Sequence, residues 1–391
     1  MSRRAGRQHI AAGTGAAREG AAREGAALEG AALEGADDGG GRAAAAERPA
    51  AVMPGRRRRM LLLLAVALLS LLAAAAYAAT AFQDARNGQA AIPDVRTAPV
   101  AALPAEPFVL FRNTAAGQGY GQVAFTPLAA PAGTRFLTAL SCDRAYASRA
   151  FISCLATKNG IPTRFEAATF SPALQPLQSW TLGGIPSRTR ISPDGSLVAS
   201  TVFVSGHSYA SAGFSTETVI RGADGTVHGN LESFDLVLDG ARIKAADRNI
   251  WGVTFVPGDG NAFYATASSQ GNIWLVRGDL AARTLTVAAT GVECPSISPD
   301  GRRIAFKKSA SGSLVGERHP ALLDLATGTI TVLDEQRNID DQIEWLDDNT
   351  ILYGLPRDET GQDSDIWSLS TLPGARPELF TEHAWSPAVV R

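Results

Sequence analysis

Side chains able to do chemistry are few and scattered in this 391-residue chain. The five histidines, His9, His207, His228, His319 and His383, stand far apart, and no two lie at metal-ligand spacing. Of the three cysteines, Cys142 and Cys154 lie equally far on either side of Ser148. If Ala147-Ser148-Arg149 tips a hairpin, the two thiols face each other across neighbouring strands, and an oxidising compartment would join them as a disulfide. Cys294 is then unpaired and reads as a core thiol. Gly206-His207-Ser208-Tyr209-Ala210 comes close to the Gly-x-Ser-x-Gly elbow of serine hydrolases. It lacks the second glycine and stands between strand-like runs, where the elbow needs a strand-to-helix turn. The segment from Ser205 to Thr216 is therefore expected to be a polar loop, with His207, Tyr209 and Phe214 as candidates for recognition. Asp340-Asp341 and Asp347-Asp348 lack the spacing of a calcium loop, and the second pair suits a turn cap. Arg302-Arg303 and Lys307-Lys308 flank one apolar run and read as a solvated face. The remaining candidates, Arg188, Arg190, Glu293 and Glu344, are far apart in sequence and act together only if the fold gathers them.

A repeat supplies such a fold. Ile191-Ser192-Pro193-Asp194-Gly195 leads into Leu197-Val198-Ala199, and Ile297-Ser298-Pro299-Asp300-Gly301 into Arg303-Ile304-Ala305-Phe306. Proline presets φ for a β-turn, aspartate bonds its own backbone, and glycine takes the positive φ that follows, so the motif closes a hairpin. Degraded copies stand at Phe255-Val256-Pro257, Trp345-Leu346-Asp347 and Trp385-Ser386-Pro387. Each copy puts a large apolar residue two places before the proline position and a mostly polar or small one before that, as a strand buried on one face requires. Most intervals between copies suit a four-stranded propeller blade of about 40–50 residues. The longer interval from Pro193 to Pro257 is assigned to an insertion around Ser205–Phe214.

The stretch from Ile297 through Ile304-Ala305-Phe306 and Leu322-Leu323-Asp324-Leu325-Ala326-Thr327-Gly328-Thr329 to Leu333 resembles the blade repeat of TolB-like β-propellers. The likeness is fair around 185–228 and 340–372 and faint before 180. The whole chain is similar to exported, single-anchor actinobacterial proteins described as TolB-like translocation proteins. That group has no settled activity to carry over; in the wider family such propellers dock proteins. The expected fold is all-β: a six-bladed β-propeller over 108–391, closed by N- and C-terminal strands. Five blades fall near 140–183, 184–235, 245–290, 292–335 and 339–382. The sixth takes its inner strand from Trp385–Val390 and its outer three from Phe108–Thr138.

The chain before the propeller differs in texture. Residues 1–59 hold 11 arginines against seven acids, repeat an Ala-Ala-Arg/Leu-Glu-Gly unit and have almost no core-forming residues, as in a disordered cytoplasmic tail. A start at Met53 would remove that tail. Residues 60–82 carry no charge and follow four arginines. Such a run suits a transmembrane helix with the arginines on the cytoplasmic side, and a cleavable signal segment ending near Ala76-Tyr77-Ala78 is the alternative. The proline- and alanine-rich residues 83–107 read as a linker.

With a net charge of −2 the chain offers no strong field for nucleic acid. No phosphate loop, hydrolase motif or metal cluster stands out, and no cofactor is expected. The expectation is a single-pass cell-membrane protein with an extracytoplasmic propeller, secreted if the apolar segment is cleaved. Its partners would be the membrane and an unidentified envelope protein or ligand, and its role non-catalytic. The alternative is a propeller enzyme of lyase, lactonase or glycosidase type, with Arg188, Arg190, Glu293 and Glu344 converging on the central channel.

Overall fold

The computed structural model describes residues 54–88, 94–204, 215–312 and 316–391. The candidate loop residues His207, Tyr209 and Phe214, and the expected tail before Pro54, lie outside the described residues.

Helix α1 spans Pro54–Gly88. It takes in residues 54–59, expected in the tail, and runs past the expected end at Phe82 into the stretch assigned to the linker. Pro54 suits a first helical position, where its missing N–H costs no hydrogen bond. Leucine and alanine are strong helix formers. The 24 residues of Arg57–Thr80 are long and apolar enough to cross a bilayer, with a mean hydropathy of 2.5 over an 18-residue window. Its leucines are exposed on every side, as in a helix suited to an apolar solvent.

The propeller consists of six sheets. Blades 1 to 5 cover 144–182, 185–230, 235–290, 293–332 and 344–381 in chain order. Their innermost strands are Arg144–Ala147, Ile185–Ile191, Asn249–Phe255, Glu293–Ile297 and Glu344–Asp347. In blade 6 the inner strand Ala384–Val390 pairs with Phe108–Asn113, and Gln122–Pro127 and Arg135–Ser141 follow outward. The register runs from Phe108↔Val390 to Asn113↔Ala384. Each inner strand touches that of the next blade, and Ala384–Val390 touches Arg144–Ala147, so the ring is closed by both ends of the domain, as expected.

Two blades carry additional strands. Thr97–Pro99 runs parallel to Arg135–Ser141, so part of the presumed linker is the outermost strand of blade 6. Asp235–Leu238 and Ala241–Arg242 extend blade 3 to six strands, the first parallel to Thr284–Thr290. They occupy part of the long Pro193–Pro257 interval, which was assigned wholly to the insertion near 205–214.

The turns work as their chemistry requires. The Asp194 carboxylate accepts from Ser192 Oγ at 2.6 Å and from the Ser196 amide at 3.0 Å, and Gly195 takes φ +72°. Asp300 repeats this with Ser298 Oγ at 2.5 Å and the Arg302 amide at 3.0 Å. Trp385-Ser386-Pro387 is not a turn: it lies inside the strand Ala384–Val390, which pairs with Phe108–Asn113. The supposed solvent-facing positions are also buried: Thr254, Ser296 and Glu344 are 2%, 0% and 5% exposed. The alternation in these strands therefore separates two buried environments, the packing between blades and the central channel. Between blades, Tyr146, Phe151, Ile191, Val198 and Ala388 form one cluster drawn from blades 1, 2 and 6.

Candidate functional site

Inner strands bring six series of side chains toward one axis, and among the described residues the space along it divides into separate cavities. At the end carrying the Ser-Pro-Asp-Gly turns lies a recess of about 500 Å³. At the opposite end lies one of about 310 Å³. Between them, next to Arg188, Arg190, Gly252 and Cys294, is a space of about 20 Å³, too small to connect the two freely.

A buried cluster lies where the larger recess narrows. Arg190 from blade 2 reaches Glu344 of blade 5, with Nη1 2.9 Å from Oε2, and its Nη2 donates to the Ile343 carbonyl at 3.0 Å. Tyr146 of blade 1 donates its hydroxyl to the same carboxylate, 3.0 and 3.2 Å from its two oxygens. The Arg190 guanidinium lies over the Tyr146 ring, 5.0 Å from its centroid. Burial pushes the Glu344 carboxyl above its ordinary range, against the opposing pull of Arg190 and Tyr146. Burial, reinforced by the Glu344 charge, likewise raises the Tyr146 phenol.

The opposite recess combines charge with aromatic surface. Glu293 Oε2 meets Arg318 Nε at 3.2 Å, while its Oε1 is buried without a hydrogen-bond partner among the described residues. Burial raises the Glu293 carboxyl and Arg318 opposes that rise. Lys307 Nζ donates to the Asp340 carbonyl at 2.9 Å and lies 3.4 Å from its carboxylate. Arg188 Nη2 donates to the same carbonyl at 2.6 Å. Trp251 and Phe203 complete the wall. Here the inner strands of blades 3 and 4 nearly touch: Gly252 has φ +66°, and a Cβ on it would lie 2.8 Å from Cys294 Cα.

The four inner-strand candidates thus divide into two groups. Arg190 and Glu344 meet in the cluster below the turn end, whereas Arg188 and Glu293 line the other recess. Sequence reasoning missed Tyr146, although it is the penultimate residue of its inner strand, as Arg190 is of its own. It also misplaced Lys307, which is 3% exposed and lies directly opposite Glu293 in the sheet. Cys142 and Cys154 are joined as a disulfide with Cα atoms 5.5 Å apart, but not across the expected hairpin register. Cys154 pairs with Ala145, and Cys142 lies outside the strands in the crossing from blade 6 to blade 1. Cys294 is free and buried.

No family model and no curated relative matches the chain. Among solved structures, TolB from Acinetobacter baumannii superposes with a TM-score of 0.50 at 16% identity, covering 74% of this chain and 68% of TolB. A puromycin-hydrolyzing peptidase of Mycobacterium tuberculosis gives 0.44 at 13% identity, covering 72% of this chain and 44% of the peptidase. An oligogalacturonate lyase in complex with manganese gives 0.36 at 12%, covering 65% of this chain and 66% of the lyase. The fold is therefore that of a TolB-like six-bladed propeller, and at such identities the likeness stops at the fold.

Proposed function

We propose that this chain is a membrane-tethered propeller whose work is recognition without turnover, holding an envelope protein or other envelope component at the recess walled by Trp251, Phe203, Glu293 and Lys307. The observation that carries this reading is the pairing of the channel carboxylates. Glu344 is held by Arg190 and Tyr146, Glu293 by Arg318, and Asp340 by Lys307. Carboxylates committed to cations fix the charge pattern of the recess walls, and mixed charge beside aromatic side chains suits a binding site. Helix α1, with arginines at its start, supports a single anchor with those arginines on the cytoplasmic side and the propeller outside.

The test places a photoreactive side chain at Phe203, which is 40% exposed, or at Leu177 on blade 1, in the full chain within native membranes. A discrete adduct from Phe203, absent from Leu177 and abolished by Lys307→Glu, supports the reading. Identical adducts from both positions, or none, count against it. The second reading, an enzyme, rests on Glu293, whose buried Oε1 has no hydrogen-bond partner among the described residues and whose carboxyl is raised by burial. A turnover found in the wild type and abolished by Glu293→Gln would favour it.

A further inference from the structure

Arg144 opens the inner strand of blade 1, and Arg112 lies in the neighbouring strand of blade 6. Both line a recess of about 400 Å³ that also receives Thr114, Thr157, Ser364 and Trp385. Arg144 is partly buried, and its Nε donates to the Ser187 carbonyl at 2.7 Å. Arg188 Nη1 donates to the same carbonyl at 2.8 Å, so two guanidiniums crowd one oxygen. The Arg144 guanidinium lies 5.9 Å from the Trp385 ring centroid. Its two terminal nitrogens donate to no protein atom among the described residues. Arg112 donates its Nε to the Cys142 carbonyl at 3.2 Å and lies over the Tyr120 ring. Among the described residues neither arginine forms an ion pair.

The acids nearby are engaged elsewhere. Asp341 accepts from the Ser386 amide at 2.7 Å and its hydroxyl at 2.9 Å. Asp340 is held by Lys307. Asp143 faces the recess but has one oxygen on the Thr157 amide at 2.6 Å, a single carboxylate against two guanidiniums. Burial, followed by the charge of Arg188, pulls Arg144 down to about 10, so it remains a cation at neutral pH. A partly buried cation without an ion-pair partner is costly, and its free N–H groups are arranged as the fork that oxyanions fit.

We propose that this recess is a binding site for a small oxyanion, a carboxylate or phosphate group, anchored by Arg144 and shared by Arg112. The site adjoins the recess of the recognition surface proposed above at Ser187 and Arg188, but it has a lining of its own and does not depend on that reading.

The experiment uses the full chain in detergent micelles, titrated calorimetrically with inorganic phosphate and, separately, with acetate in a non-coordinating buffer. Saturable binding of either is expected, and the tighter one identifies the class. Arg144→Gln should weaken it at least about tenfold, the effect of losing one charge-assisted pair. Arg112→Gln should weaken it by less, and Arg164→Gln, on the exposed start of a blade 1 strand, should leave it unchanged. Thermal unfolding of each variant shows whether it is folded, and Arg112→Gln carries the test if Arg144→Gln is not. The proposal is overturned if neither anion binds the wild type saturably below about 10 mM. It is equally overturned if folded Arg144→Gln and Arg112→Gln bind as tightly as the wild type.

Discussion

Replacing Arg190 by methionine tests whether the cross-channel cluster holds the ring together. The substitution keeps much of the aliphatic stem but leaves Glu344, 5% exposed, without its cation. What remains on that carboxylate is the Tyr146 hydroxyl at 3.0 and 3.2 Å and the Val389 amide at 3.4 Å. Breaking a buried pair by removing one partner costs about 3–5 kcal/mol, because the other charge stays desolvated. For a domain of this size each kcal/mol lowers Tm by about 1.5–2 °C, so a fall of roughly 5–10 °C is expected. Removing the acid as well, in Arg190→Met with Glu344→Leu, eliminates the stranded charge. The double variant should then lose less than the sum of the two singles, by a coupling of about 1–3 kcal/mol. Circular dichroism during thermal and denaturant unfolding of the full chain in detergent measures all four corners of the cycle. A cost for Arg190→Met below about 1 kcal/mol, the value of a solvated surface pair, would falsify the argument.

Further outcomes follow from single sites. Glu232 accepts from Thr216 Oγ1 and the Thr218 amide, both at 2.9 Å, yet burial pushes it up to about 7. The folded state thus binds this proton more tightly than the unfolded chain, so stability should fall as pH rises from about 4.5 to about 7, by at most ~3 kcal/mol. Glu232→Gln should remove that part of the slope, and parallel pH–Tm curves for variant and wild type would refute the assignment. Reducing the Cys142–Cys154 disulfide, which closes a sequence separation of 12, should cost about 2–4 kcal/mol, read as a Tm difference with and without reductant. Gly252→Ala puts a Cβ at positive φ and 2.8 Å from a backbone carbon, so a loss of at least about 2 kcal/mol is expected by denaturant titration.

The turns were legible because they are local: Pro193-Asp194-Gly195 builds its own hairpin. The ring closure is not local, and it was legible from the repeat, because five whole blades leave Trp385–Val390 and Phe108–Thr138 to share the sixth. Alignment failed at Trp385 because no turn follows it to set the register, and Ser386 takes φ +58° inside the strand. Lys307 was misjudged as one of a solvated doublet, although consecutive strand residues point to opposite faces and one of Lys307-Lys308 had to face inward. The oxyanion recess was hidden for a different reason. Arg112 and Arg144 belong to different blades, and nothing local in either strand says that the nearby acids are already engaged. Arg190 and Glu344 hold equivalent positions on blades 2 and 5 of a six-bladed ring, so they face each other across it. Once the blade count is known, a charged residue before the turn on one blade should be tested against the equivalent residue three blades on. That rule pairs Arg190 with Glu344 without coordinates. It cannot supply Tyr146, which joins them from the neighbouring blade through the length of its side chain.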